Sequence, residues 1–107
     1  MEADTRPPVP LACVPGAIPA AERPAHLALA RRLFTVQAEE RGDLPDGLAF
    51  RFAADALDAV ARFVAGERRC CPFLRFEITV EPADGPVRLR MTGPPGTRAL
   101  LEAELPL

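Results

Sequence analysis

From Leu74 to Met91 the chain alternates apolar and polar residues on either side of a short break, and this pattern constrains the rest of the fold. Leu74, Phe76, Ile78 and Val80 fall on one side of an extended backbone, with Arg75, Glu77 and Thr79 on the other. Pro82-Ala83-Asp84-Gly85 reads as a hairpin loop, after which Val87, Leu89 and Met91 alternate with Arg88 and Arg90. On the polar face, acidic residues of one strand can pair with arginines of its partner. The apolar face needs a cover, and helices elsewhere in the chain must supply it.

Two upstream stretches have helical spacing. From about Ala20 to Arg41, Leu27, Ala30, Leu33, Phe34 and Ala38 recur at intervals of three or four, with Pro24 in the first turn and Gly42 as the expected stop. From about Ala54 to Arg69 the stripe is Leu57, Val60 and Val64, widened by Phe63, and the helix must end before Pro72. Between them, Pro45-Asp46-Gly47 is a turn and Leu48 to Phe52 alternates as a half-buried strand. The apolar stretch Val9 to Val14 is expected to be a further strand, broken by Pro15-Gly16, and Gly93-Pro94-Pro95-Gly96 leads into a short last helix carrying Leu100 and Leu101. The expected order is β-α-β-α-β-β-α. It describes an α+β two-layer sandwich, one mainly antiparallel sheet with helices on one face, in a single domain over residues 9–107 after a flexible arm, residues 1–8.

Composition removes several function classes. The chain has 13 basic residues, all arginine, and a net charge of −2, so nothing directs it toward nucleic acid or an anionic membrane surface. No apolar run approaches the length of a membrane span, and Met1-Glu2-Ala3-Asp4 lacks the basic and apolar regions expected of a signal peptide. The expected location is the cytoplasm, where thiols stay reduced, and an odd count of 3 cysteines does not make a closed disulfide framework. Ser, Lys, Tyr, Trp and Asn are absent, which excludes a serine nucleophile, a Schiff-base lysine and a tyrosine acid. The remaining chemistry lies in Cys13, Cys70, Cys71, the carboxylates and one imidazole, His26.

Extending the second helix's apolar stripe past Val64 reaches Glu67 and then Cys71, with Cys70 beside it. A carboxylate on a core-facing stripe is costly unless it is paired or bound to a cation. The two cysteines sit at a helix C-terminus, where the partial negative charge disfavours thiolate. A bound cation reverses that penalty, because coordination deprotonates the thiol. The position therefore favours a metal ligand over a redox nucleophile, although Arg68 and Arg69 offset part of the negative charge. Cys13 is the expected third ligand. Three thiolates suit Hg(II), Cu(I) or trivalent arsenic, while the trio with Glu67 or His26 suits Zn(II). Against this stand plainer readings: Cys13 as core, Glu67 paired with an arginine, and His26 at the surface near a helix start.

The run Glu67-Arg68-Arg69-Cys70-Cys71-Pro72-Phe73-Leu74, followed by the hairpin and Met91-Thr92-Gly93-Pro94-Pro95-Gly96, resembles a family of small bacterial proteins. These carry E-x-x-C-C-P-F and a later G-P-x-G helix start, some as separate chains and some attached to MerR-like metal-responsive regulators. Leu11 to Ile18 is similar to the stand-alone members, so the resemblance spans residues 9 to 105. It implies soft-metal binding at Glu67, Cys70 and Cys71, with Cys13 joining them. Three functions follow as expectations: a cytosolic metal–thiolate protein for sequestration, sensing or delivery; a small thiol enzyme using Cys70 or Cys71 with Glu67 as acid or base, acting in redox or organometal chemistry; and a non-catalytic module, dimeric through a sheet edge, with the cysteines as core.

Overall fold

Four strands form a fully antiparallel sheet in the computed structural model, which describes residues 9–14 and 16–107. Helix α1 (Arg23–Arg32) runs into a π-helical turn, Leu33–Gln37, and the chain then turns extended at Ala38. Strands β1 (Glu40–Leu44) and β2 (Gly47–Phe52) follow. A short 3₁₀ turn, Ala54–Ala56, then feeds helix α2 (Leu57–Cys70). Strands β3 (Arg75–Val80) and β4 (Val87–Thr92) and helix α3 (Thr97–Glu104) complete the chain. The spatial order is β1-β2-β4-β3.

The α+β class and the antiparallel sheet agree with the sequence reading, but the order of elements does not. The stretch Val9–Val14 is not a strand: Val9 and Leu11 are exposed, and the backbone has no strand partner. The segment docks instead on the end of α2, where Val14 N–H donates to the Cys70 carbonyl. The fourth strand is β1, within and just past the segment expected as the end of the first helix. Gly42 does not stop a helix; it sits mid-strand opposite Ala49. The sequence Glu40-Arg41-Gly42-Asp43 has no apolar alternation. It becomes a strand because the Pro45-Asp46 turn folds it back on β2, and cross-strand charge holds it there, with Arg51 within 3.3 Å of Glu40. A charged edge strand also resists pairing with other chains. The expected arm, residues 1–8, lies outside the described residues.

One face of the sheet is buried. Leu48, Phe50 and Phe52 of β2 stand opposite Met91, Leu89 and Val87 of β4, and all six are at most 4% exposed. Helices α1, α2 and α3 cover them through Ala30, Val60, Phe63 and Leu101, joined by Leu33 and Phe34 of the π turn. The other face is polar, and Glu77 and Arg90 pair across it at 3.7 Å as the alternation implied. Gly47 is required by close approach, because a Cβ there would collide with the Met91 carbonyl. The cover thins toward the β3 edge, where Ile78 and Val80 stay exposed. Among the described residues no helix is long and apolar enough to cross a membrane.

Candidate metal centre

Helix α2 supplies one half of the site. Its apolar stripe carries Val60 and Phe63 into the core, and the same face continues to Glu67, 7% exposed, and Cys71, 2% exposed. The helix closes with Cys71 N–H donating to the Glu67 carbonyl at 2.8 Å, and Leu74 N–H donating to Cys71. Cys70, the last residue of the helix, is half-buried.

The segment before α1 supplies the other half. Val14 N–H donates to the Cys70 carbonyl at 2.7 Å, satisfying one of the carbonyls that a helix C-terminus leaves unpaired. This bond holds Cys13 over the end of α2, with its Sγ 2.8 Å from Cys71 Sγ. The sulfurs of Cys13, Cys70 and Cys71 all lie within 4.8 Å of one another. Thiolates on one tetrahedral ion, bonded at about 2.3 Å, sit roughly 3.8 Å apart. The three are therefore close enough to hold one metal ion, with the Cys13–Cys71 pair opening slightly.

Glu67 joins the cluster to a group that the sequence left at the surface. The Cys71 thiol donates to Glu67 Oε1 at 3.2 Å, and His26 Nε2–H donates to Oε2 at 2.8 Å. His26 is not a surface residue. Its side chain is 12% exposed, and its ring stacks on Phe63 with centroids 5.6 Å apart and planes within 3°. Gly66 makes room for it: a Cβ there would lie 2.6 Å from His26 Nδ1. Glu67 thus pairs with His26 and not with an arginine. A glycine one helical turn from the thiols was the one local sign of a close neighbour, and nothing in the sequence said that it was His26.

The environment favours the protonated form of Cys70 and Cys71. Burial raises Cys71 far above the ordinary 9.0, helped by its hydrogen bond with Cys13 and by the Glu67 charge. Burial also raises Cys70, with the Glu67 charge and Cys13 adding to it. Neither is a low-pKa nucleophile at neutral pH. Comparison with protein-family models, with curated proteins and with solved structures gives no match for this chain.

Proposed function

We propose that this protein binds a thiophilic metal or metalloid through Cys13, Cys70 and Cys71, with the Glu67 carboxylate beside them. One observation carries the reading: three sulfurs from segments 58 residues apart converge within one ion's reach. Three thiols with a single adjoining carboxylate favour soft or borderline ions such as Hg(II), Cu(I), As(III) or Zn(II) over hard oxygen-seeking ones. Glu67 Oε1 is the base within hydrogen-bonding distance of the Cys71 proton, which has to leave when the sulfur coordinates. His26 fixes the carboxylate from behind, as outer partners of metal ligands commonly do. The resemblance to proteins attached to metal-responsive regulators points the same way. Sequestration, sensing or delivery in the cytoplasm is the corresponding role.

The nucleophilic-enzyme alternative is weaker here, because both adjacent thiols are shifted away from thiolate. Native mass spectrometry of the reduced protein with Zn(II), Hg(II) and Cu(I) tests the proposal. The expected result is one ion per chain for at least one metal, and loss of that adduct in the Cys70→Ala/Cys71→Ala double variant. No stoichiometric uptake, or equal uptake by the double variant, sinks it.

A further inference from the structure

Cys13 and Cys70 are partly buried, and Cys71 is fully so. Cys13 and Cys70 line a cavity of about 310 Å³ whose walls are more apolar than polar, with Ile18, Leu27, Ala30 and Leu105 beside Arg23, His26, Glu67 and Glu104. Arg23 stiffens one wall by donating from Nε to the Ile18 carbonyl at 2.9 Å. Cys71 is not part of the lining; it lies beneath, 2% exposed. A bare hydrated ion gains nothing from such walls and occupies little of the space. Small-molecule sites fall in roughly the 300–1,000 Å³ range and combine apolar walls with a few reactive or polar groups. This cavity has that composition, with two thiols facing into it.

We propose that the ligand of this cavity is a trivalent organoarsenical, an arsenic centre carrying one small apolar or aryl substituent. The inference rests on the thiol-binding function proposed above and narrows it to a substrate class. Such a compound, R–As(OH)₂, is neutral and enters an apolar space without stranding a charge there. Two As–O bonds break and two As–S bonds form, to Cys13 and Cys70. Each hydroxide leaves as water with the proton of the thiol that replaces it. Arsenic stays trivalent, so no oxidant or reductant is needed. The organic group occupies the third valence and packs against Ile18, Leu27 and Leu105, leaving Cys71 as a free thiol. Inorganic arsenite has no such substituent and takes all three sulfurs.

Phenylarsine oxide and arsenite, each added to the reduced full chain, separate the two modes. After phenylarsine oxide, alkylation in denaturant followed by peptide mapping is expected to find Cys71 alone modified; after arsenite, no cysteine is modified. Cys71→Ala keeps one phenylarsine oxide per chain, while Cys13→Ala and Cys70→Ala each lose it. Leu27, exposed at the cavity mouth, provides a variant remote from the core. Leu27→Trp is expected to weaken phenylarsine oxide binding about tenfold, or roughly 1.4 kcal/mol, and arsenite by less than about twofold. Binding of arsenite without phenylarsine oxide overturns the organoarsenical inference and leaves thiol metal binding intact, as does an equal effect of Leu27→Trp on both. If neither arsenical nor any of the three metals binds, both proposals fall together.

Discussion

Glu67 and Cys70 come from one regular helix and Cys71 caps it, whereas Cys13 comes from an irregular segment and His26 from the first turn of a different helix. The helical half is positioned by periodicity: the stripe that buries Val60 and Phe63 must also bury Glu67 and Cys71. The other half is positioned by single contacts, the Val14–Cys70 backbone bond and the His26 ring on Phe63. A site can thus be half encoded in local pattern and half in tertiary docking. The two halves should respond differently to mutation.

Phe63 is where the halves meet, since its ring touches the core on one side and His26 on the other. Phe63→Ala is expected to cost about 3–5 kcal/mol, measured by urea unfolding, a large share of a small domain's stability. If the loss is under 1 kcal/mol, Phe63 does not couple the two halves.

Alkaline pH probes the helical half. Cys70 and Cys71 hold their protons more tightly in the fold than in the unfolded chain. The stability this contributes is complete below about pH 9 and falls as the pH rises further, where unfolded thiols ionise and folded ones do not. The chain has no lysine or tyrosine, so cysteines are the side chains that ordinarily titrate in this window. The urea midpoint of the reduced protein should fall between pH 9 and 10.5, and the Cys70→Ala/Cys71→Ala variant should show a flatter profile. Parallel profiles would mean that these thiols are not held protonated.

The smallest effect tests the tertiary half. Gly66→Ala forces the His26 ring away while improving helix propensity by about 0.8–1 kcal/mol, so net stability is expected to change little. The readout is the His26 ring signal in NMR, which should move to solvent-like values with the cysteines still in place. An unmoved ring would show that the fold absorbs the methyl elsewhere.

The hairpin β3–β4 and helix α2 were legible in the sequence because each repeats one period over several residues, so small errors average out. The end of α1 was not legible. Thr35, Val36 and Gln37 still form a helical turn, and the switch to strand at Glu40 carries no apolar signal; it follows from pairing with β2. Cys13 was expected to sit on a strand and lies instead on a non-strand segment pinned by one backbone bond. It reaches the same neighbours by a different route. His26 was misread because a lone imidazole near a helix start has no pattern to place it.

What the sequence determined alone was the α+β class, the buried carboxylate at Glu67 and its closeness to Cys71, because helical geometry makes positions four apart neighbours whatever surrounds them. Tertiary structure decided which strand closes the sheet, that Cys13 lies 2.8 Å from Cys71, and that His26 and not an arginine pairs with Glu67. The Cys13 and His26 contacts join residues 58 and 41 positions apart. They depend on how α1 and the segment before it dock on α2, which no local period records.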